Sequence, residues 1–319
     1  MIVLYILLIL GGLFLCVCYG IYRFGFYSPN KTQNNDYSVA DTPQMNAMRG
    51  EILAMIDAVN ELPFERVTIQ SHDGLTLCAR YYHQWEGAPL NICFHGYRGT
   101  PARDFSGGTQ IMLRQGHNLL MVEQRAQCGS QGHTITFGIE ERYDCLDWVH
   151  YAIARFGADT KIILVGISMG AATVVMASAL PLPKQVVGII ADCPYTSPSA
   201  IIRKVSRDMH LPPKPAGAFA AASALIFGHF HLSAANAAEA VKHTKVPILL
   251  IHGEEDYFFP CEMSREIHSA NPEMITLSTF PGAGHGLSYL LDPERYESLI
   301  RDFSQQVLAS AAGANTVTN

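Results

Sequence analysis

The sequence predicts an α/β fold in which a mostly parallel sheet is covered by helices. Short apolar runs, such as KIILVG at 161–166 and VPILLIHG at 246–253, alternate with helix-length segments along the chain. Strands that are apolar on both faces are typical of parallel sheets with helices packed on each side. The length of 319 residues leaves ample material for such a core.

Charge and composition exclude several classes of protein. Lys and Arg total 22 against 28 Asp and Glu, a net charge of −6, which disfavours a nucleic-acid binder because that would need a basic face. Hydrophobic residues make up 49%, which excludes a disordered chain. Charged residues make up only 16%, below the ~25% typical of soluble domains, so one segment should be unusually apolar. The eight cysteines form no CxxC pair and are expected to be mostly free thiols, although a disulfide stays open.

The unusually apolar segment lies at the N-terminus. Residues 2–22 are 21 residues without a charge, enough at ~1.5 Å each to cross a ~30 Å hydrocarbon core. A cleaved signal peptide would have a basic residue before the apolar run, where only Met1 stands, and a buried core helix would need fewer apolar residues. We therefore expect residues 1–23 to be a single-pass membrane anchor. Arg23 and Lys31 follow it, which favours a cytoplasmic over an external location for the rest of the chain.

Residues 24–63 are expected to contain a linker and an amphipathic helix. The stretch 30–43 is polar and rich in turn-forming residues. Apolar residues then recur at helical spacing as far as Pro63, namely Met48, Ile52, Met55, Ile56 and Val59. Residues 64–312 should form the main domain, and residues 313–319 a tail. Because the linker is polar, removal of residues 1–37 should leave the main domain folded and functional.

Eight strands and several helices are expected in the main domain. The strand candidates are 66–71, 75–82, 90–94, 117–122, 161–166, 186–191, 247–252 and 274–280, and the helix candidates include 140–155, 169–180 and 293–308. The first two strands flank a His-Asp-Gly turn whose glycine, Gly74, can take a positive φ, so they should form a hairpin.

An insertion of about fifty residues separates the sixth and seventh strand candidates. Within it, residues 215–238 contain no Asp, Glu, Lys or Arg, and the run AFAAASALIF is helix-forming but too short to span a membrane. We interpret residues 197–243 as a short helical lid packed over a pocket. The alternative is a further core helix.

A G-x-S-x-G motif at residues 166–170 places Ser168 between a β-rich run and an Ala-rich helical run. This strand–turn–helix context is the one that a nucleophile elbow requires, because the sharp turn exposes the serine hydroxyl and the glycines allow close backbone approach. The following helix would point its free N–H groups at the site. The alternative is a serine that caps an ordinary helix.

A serine nucleophile needs a base, and the base needs an acid that orients it. His285 lies in a Gly-rich loop directly after a strand candidate, a setting that no other histidine in the chain has. Asp256 follows the strand ILLIHG, which places a carboxylate at the carboxyl edge of the sheet. We therefore predict Ser168, Asp256 and His285 as the catalytic residues.

Other carboxylates compete for the role of the acid. Asp192 follows the preceding strand and is the main rival of Asp256. Glu254 and Glu255 lie in the same loop as Asp256 and more plausibly cap it.

The loop after the third strand candidate could stabilise negative charge. It contains two glycines, and the backbone N–H groups of Tyr97 and of Met169, the residue after Ser168, could face a developing oxyanion. No metal site is predicted. His229 and His231 lack a nearby carboxylate or cysteine companion that would complete one.

The motifs together resemble the α/β-hydrolase superfamily. G-x-S-x-G (166–170), HGY (95–97), HGEED (252–256) and GAGHG (282–286) stand in that family's order and approximate spacing. The chain is most similar to bacterial membrane-anchored serine hydrolases, which are described as esterase/lipase-like or prolyl-oligopeptidase-related. Their loop signature is visible between EQRA at 123–126 and ERYD at 141–144. Two residues depart from it: Glu123 replaces the usual Asp and Cys128 the usual Gly, which affects the geometry of that loop more than catalysis.

The resemblance implies an eight-stranded, mostly parallel sheet with helices on both faces, and no cofactor. It does not give the substrate, since this fold hosts many reactions. We expect a serine hydrolase of the carboxylesterase type that acts on small-molecule esters at a membrane. The apolar insertion and the modest charge around the motifs favour an uncharged, fairly apolar acyl group. The alternatives are an acyltransferase, a peptidase or amidase, or a non-catalytic binding protein on the same fold.

Overall fold

The computed structural model describes residues 1–28 and 37–316, and its centre is an eight-stranded sheet. The strands are β1 (Glu65–Gln70), β2 (Thr76–Tyr82), β3 (Leu90–Phe94), β4 (Asn118–Glu123), β5 (Ile162–Ile167), β6 (Val186–Asp192), β7 (Ile248–Gly253) and β8 (Ile275–Phe280). Each bound lies within one residue of its prediction. The strand-like stretches, with a hairpin turn between the first two and short apolar runs for the later ones, were therefore sufficient to place every strand.

The helices that precede β5 include three that the sequence did not predict, α2, α4 and α5. They are α1 (Ile2–Gly25), α2 (Pro43–Ala47), α3 (Arg49–Asn60), α4 (Pro101–Asp104), α5 (Ser106–Arg114) and α6 (Glu141–Phe156). The remaining helices are α7 (Met169–Ala177), α8 (Pro198–Asp208), α9 (Pro213–Gly228), α10 (Ala237–Ala240), α11 (Glu262–Ala270), α12 (Ser288–Leu291) and α13 (Pro293–Thr316), with a 3-10 turn at Val241–His243.

The strand order is β1-β2-β4-β3-β5-β6-β7-β8. β1 and β2 form the predicted hairpin, and β2 is antiparallel to β4. From β4 to β8 all neighbouring strands are parallel. This arrangement confirms the mostly parallel sheet, and it brings the carboxyl ends of β3, β5, β6, β7 and β8 to one edge.

The sheet is covered on both faces, as its doubly apolar strands require. One core contains side chains of α6, α7, α10 and α11, with the fully buried Trp148 of α6 among them. The other contains side chains of α5 and α13, such as Ile111 and Ile300. All eight cysteines are free; Cys16 is exposed and the other seven are buried.

Helix α1 is long and apolar enough to cross a membrane. Every residue in the first half of this helix is exposed. Near the end of the helix, Cys18 and Tyr22 are buried. Phe26, which directly follows the helix, is buried as well. The end of this helix is therefore part of the packed domain.

The insertion between β6 and β7 is helical, but its place differs from the lid that we expected over residues 197–243. Helix α9 lies along α1, with the ring of Phe219 5.4 Å from that of Phe14 and the Ser223 hydroxyl donating to the Cys18 carbonyl at 2.7 Å. The charge-free surface of α9 is thus covered by another apolar helix. Helix α8 packs on α9, and its Lys204 side chain donates to the Tyr257 carbonyl in the loop after β7.

The segment before β1 forms two helices. The Thr42 hydroxyl caps α2 by accepting from the Met45 N–H at 3.2 Å, and a proline occupies the first turn, where its missing N–H costs nothing. Helix α3 has the predicted amphipathic pattern and buries Ile52, Ile56 and Val59. Much of the predicted linker, residues 29–36, lies outside the described residues.

Candidate active site

Ser168 lies at the sharp turn between β5 and α7. Its backbone has φ 57° and ψ −118°, a strained conformation for a residue other than glycine. The turn needs the glycine two residues later, because a Cβ atom on Gly170 would collide with the backbone of Phe94 in β3. The result is a serine side chain that stands clear of the sheet edge, as the G-x-S-x-G motif predicts.

The His285 side chain reaches Ser168 from the loop after β8. The His285 Nε2 atom lies 2.9 Å from the Ser168 Oγ atom, within hydrogen-bond distance. The imidazole ring is held edge-on against the rings of Phe258 and Phe259, with ring centroids 5.3 and 4.7 Å away. These aromatic contacts restrict the orientation of the ring.

Asp256 lies behind His285, in the loop after β7. Its Oδ2 atom is 2.7 Å from the His285 Nδ1 atom, and its Oδ1 atom accepts from the backbone N–H groups of Phe258 and Phe259 at 2.9 and 2.7 Å. Burial alone would raise the pKa of Asp256, but hydrogen bonds from His252 and His285 outweigh it and hold that pKa well below its usual range. Asp256 is therefore a buried carboxylate that stays ionised.

The rival carboxylates are placed differently. Asp192 is buried under the sheet edge, where it accepts from the Tyr296 hydroxyl at 2.9 Å, and burial raises its pKa to about 6. Within the described residues no hydrogen bond joins Asp192 to His285. Glu254 accepts from Thr279 at 2.6 Å on the surface, and Glu255 is exposed. Of the candidate acids, only Asp256 contacts the imidazole.

The loop after β3 places Tyr97 beside Ser168. A Cβ atom built on the preceding residue, Gly96, would lie 3.6 Å from the Ser168 Oγ atom, so backbone and hydroxyl are close. Within the described part of the chain, neither the Tyr97 N–H nor the Met169 N–H donates to a protein acceptor. Two unpaired donors next to the serine are what the predicted oxyanion hole requires.

Asp104 is a residue at this site that the sequence did not reveal. Its Oδ2 atom accepts from the Gly96 N–H at 2.7 Å and its Oδ1 atom from Arg103 Nε at 2.8 Å. Burial would raise the pKa of Asp104, but the Arg103 guanidinium lowers it below its usual value. The carboxylate thus fixes the loop that carries Tyr97. The Thr-Pro start of α4, directly after that loop, was the available signal, since it indicates a short helix there.

A cavity of about 430 Å³ opens beside Ser168. Most of its lining is apolar. The side chains come from the segment before β1, from α5 and from the C-terminal helices, and they include Val39, Met45, Ile52, Met55, Phe105, Met112, Ile190, Leu287, Leu290 and Ile300. Residues 38–55 cover this cavity, whereas no described residue of the α8–α9 insertion lines it. The sequence assigned the covering role to the wrong segment.

Among the described residues, two clusters have side chains close enough to hold a metal ion, but most of their ligand atoms are engaged in other contacts. In the first, Asp256 and His285 bind each other, and burial raises the pKa of the neighbouring Cys193 thiol well above its ordinary value, so a thiolate is disfavoured. In the second, the Arg125 guanidinium binds both Asp73 and Asp144.

The loop signature between β4 and α6 has a structural role. Glu123 is buried and accepts from the Arg66 guanidinium at 3.0 Å and from the Gly129 N–H at 2.7 Å. Glu141 accepts from the N–H groups of Thr136 and Gly138, both at 2.8 Å. These contacts brace the loop beneath the sheet edge, away from the cavity.

Comparison with known proteins identifies the family. A sequence profile of the alpha/beta hydrolase family matches residues 92–299, which include Tyr97, Ser168, Asp256 and His285. The chain belongs to the α/β hydrolase family. Uncharacterized protein YqkD of Bacillus subtilis (strain 168) is 21% identical over 194 residues, which are 60% of this chain and 64% of YqkD. The match thus spans less than two thirds of that relative.

Solved structures share the fold of this hydrolase. The esterase Pf2001 of Pyrococcus furiosus superposes with a TM-score of 0.64 at 20% identity, covering 86% of this chain and 98% of that one. Est1E of Butyrivibrio proteoclasticus, solved with ferulic acid bound, gives 0.59 at 22% identity, covering 76% and 99%. The α/β hydrolase GrgF of Penicillium sp. sh18 gives 0.62 at 18% identity, covering 78% and 100%.

Proposed function

We propose that this α/β hydrolase is a serine hydrolase that cleaves carboxylic esters of uncharged, fairly apolar acyl groups. The observation that carries the proposal is the hydrogen-bonded series from Ser168 through His285 to Asp256, at the mouth of an apolar cavity. A hydroxyl within 2.9 Å of an imidazole, which is itself oriented by a buried carboxylate, is the arrangement that activates a serine.

Acylation begins when Ser168 Oγ attacks the carbonyl carbon of the ester while its proton passes to His285 Nε2. The carbonyl π electrons move onto oxygen, and the negative charge faces the N–H groups of Tyr97 and Met169. Asp256 accepts from His285 Nδ1–H and stabilises the imidazolium. As the tetrahedral intermediate collapses, the bond to the alcohol oxygen breaks and the alcohol takes the proton from Nε2.

Deacylation repeats these steps with water. The water oxygen attacks the acyl-enzyme carbonyl and gives its proton to His285. The bond between Ser168 Oγ and the acyl carbon then breaks, the serine recovers its proton, and the carboxylic acid leaves. Each oxyanion donor is worth roughly 10²–10³ in rate in related chemistry. The two backbone N–H groups therefore belong to the reaction as much as the three side chains do.

The cavity supports an apolar acyl group. Methionine, isoleucine and leucine side chains dominate its lining, and a volume of about 430 Å³ matches a small to medium ligand. Of the charged groups that line it, Arg103 and Asp104 bind each other beside the Tyr97 loop, and Asp192 accepts from the Tyr296 hydroxyl. A charged acyl group would find no free partner among them. Pf2001, which shares the fold, is an esterase by name.

We also propose that α1 is an uncleaved membrane anchor and that the substrates are small-molecule esters near that membrane. A cleaved signal peptide would be removed without consequence for the fold. In this structure the last turns of α1 are part of the fold. Cys18 is 0% exposed, and Phe26, directly after the helix, is 2% exposed. The positive-inside rule applied to Arg23 favours a cytoplasmic catalytic domain.

The test is covalent labelling followed by an ester panel. Full-length protein in detergent should react with a fluorophosphonate probe and hydrolyse p-nitrophenyl esters, with the highest kcat/KM for uncharged acyl chains. Ser168→Ala should abolish both reactions. Ser178→Ala is the matched control, because Ser178 lies just after the other end of α7 and its hydroxyl donates only to the Val175 carbonyl.

Three outcomes would contradict the proposal. An unlabelled, folded wild-type protein would indicate a non-catalytic binding protein. Faster cleavage of peptide amides than of esters would indicate a peptidase or amidase. Preferential transfer of the acyl group to an added alcohol, rather than to water, would indicate an acyltransferase.

A further inference from the structure

The end of the apolar N-terminal helix touches the loop that carries the proposed oxyanion donor. The Tyr97 hydroxyl donates to the Gly25 carbonyl at 3.0 Å. The Arg98 guanidinium donates through Nη2 to the carbonyls of Phe24 and Tyr27 at 2.9 and 3.0 Å. Two consecutive residues of the loop therefore bind the last carbonyls of α1 and those just after it.

These contacts suit both partners chemically. The last carbonyls of a helix receive no hydrogen bond from an N–H of that helix, and they lie at the negative end of its dipole. A guanidinium and a hydroxyl are the donors that such carbonyls lack. Arg98 gains as well, since its backbone has φ 50°, in the left-handed region that only glycine adopts freely. The carbonyls of α1 help to hold that residue in place.

The end of α1 is itself fixed to the domain, so it can serve as a rigid support. The Phe26 carbonyl accepts from the Ile135 N–H at 2.7 Å, and the Ser28 N–H donates to the His133 carbonyl at 2.9 Å. The buried Phe26 ring packs edge-on against Phe137, with centroids 5.7 Å apart. The Tyr97 ring stacks on the same Phe137 ring, with centroids 5.2 Å apart.

We infer that the carboxyl end of α1 is a positioning element for the oxyanion hole: through its hydrogen bonds to the Tyr97 and Arg98 side chains it sets the direction of the Tyr97 backbone N–H. The inference rests on the proposed function, because only that function makes the Tyr97 N–H a donor to an oxyanion. Tyr97 and Arg98 act here through their side chains as positioning residues, and Asp104 supports the same loop from the opposite side through Gly96.

This support has a kinetic signature. An oxyanion donor stabilises charge that develops in the transition state, so a donor turned slightly away lowers kcat and leaves ground-state binding in the cavity intact. A loss of general stability would instead lower the amount of active protein. It would not selectively weaken the binding of an inhibitor that carries an oxyanion.

The experiment uses full-length protein in detergent micelles and three variants: Tyr97→Phe, Arg98→Ala and the double substitution. Tyr97→Phe removes one hydroxyl and keeps the ring on Phe137. Tyr81→Phe is the matched control, because that buried tyrosine on β2 has its hydroxyl 3.0 Å from the His83 ring and lies far from the cavity. Each protein is assayed for kcat and KM on a soluble ester, and for inhibition by a trifluoromethyl ketone, whose serine adduct carries an oxyanion.

We expect kcat to fall about tenfold in the double variant, with KM within about twofold and trifluoromethyl ketone inhibition weakened about tenfold. The single variants should fall between it and the wild type, and Tyr81→Phe should match the wild type. Hydrogen exchange of the peptide that contains residues 96–100 should become faster in the double variant, independently of any activity.

The inference and the proposed function fail differently. Double-variant protein with wild-type kcat, inhibitor affinity and hydrogen exchange would overturn the inference and leave the proposed function standing. A parallel fall in kcat and in the fraction of protein that a fluorophosphonate titrates, at unchanged inhibitor affinity, would also overturn it. A wild-type protein that neither labels nor hydrolyses esters would overturn the proposed function, and the oxyanion role with it.

Discussion

The two sides of the site reach Ser168 in different ways. On one side, His285 and Asp256 come from loops at the carboxyl ends of neighbouring parallel strands, so the sheet itself brings them together. On the other side, the Tyr97 loop and the cavity depend on residues that precede β1, at 24–27 and 38–55. The first arrangement follows from the order of strands. The second depends on how separate helices pack, which no local pattern specifies.

The largest expected effect tests the strand-end side. His285→Ala should lower kcat by about 10⁴-fold or more, because Ser168 loses the base that takes its proton. His83→Ala, on a histidine outside the site, is the control. Initial rates at saturating ester give the comparison. Near-wild-type turnover in His285→Ala would remove the imidazole from the reaction.

The acid can be identified by paired substitutions. Asp256→Asn should lower kcat by about 10⁴-fold, because the amide favours the wrong imidazole tautomer. Asp192→Asn should change kcat by less than about tenfold, since Asp192 binds Tyr296 and not the imidazole. Steady-state kinetics of both variants decide between them. If the two losses exchanged places, the acid would belong to β6 and not to β7.

Truncation sharpens the comparison on the N-terminal side. Deletion of residues 2–13 leaves the contacts of α1 with α9 and with Tyr97 in place, so kcat should stay within about twofold. Deletion of residues 2–28 removes the carbonyls that hold Tyr97 and Arg98. It should lower kcat at least about tenfold, by the same loss of support. Equal kcat values of the two truncated proteins would show that α1 can be removed without loss of activity, as the sequence suggested for residues 1–37.

The covering segment should affect which acyl chains are accepted. Met55 lines the cavity from α3, so Met55→Ala should enlarge the cavity and shift the optimum of kcat/KM towards longer acyl chains, by a few-fold. A panel of p-nitrophenyl esters of increasing chain length measures the shift. Met209→Ala, on an exposed methionine after α8, is the control. An unchanged profile would mean that the cover does not contact the acyl chain.

The smallest expected effect concerns stability and pH. The pKa of Asp192 is about 6 in the folded chain and about 3.9 unfolded, so the folded state binds more protons between these values and loses stability as pH rises through that window. At pH 8 the free energy of unfolding of Asp192→Asn should therefore exceed that of the wild type by up to about 3 kcal/mol. The two proteins should converge near pH 4. A difference independent of pH would assign the effect to packing.

Much of this molecule could be predicted from its sequence. The strands follow from apolar runs, and the triad geometry follows from the strands, because residues after β5, β7 and β8 must meet at one sheet edge. Ser168, His285 and Asp256 accordingly lie where they were expected. The loop of Tyr97 also lies close to the serine, and the oxyanion role of Tyr97 and Met169 stays a prediction.

The rest could not be predicted because it depends on partners distant in sequence. A charge-free helix such as α9 needs an apolar surface, and its sequence does not say whether that surface is a pocket or α1. The polar character of residues 30–43 suggested a linker, yet Val39 lines the cavity, and Gln44, directly after this stretch, donates to the Gly282 carbonyl at 2.7 Å.

The packing of α1 against α9 decides how the whole domain would sit on a bilayer. A catalytic domain on a loose tether can tumble and sample many orientations. Here Tyr19 and Tyr22 rest against Phe227, and Leu225 and Ile226 of the same helix are exposed beside them. A membrane that received α1 would therefore fix the tilt and the height of the cavity mouth. The search for ester would become a diffusion in two dimensions, in which molecules dissolved in the same leaflet are met far more often than those in the surrounding water.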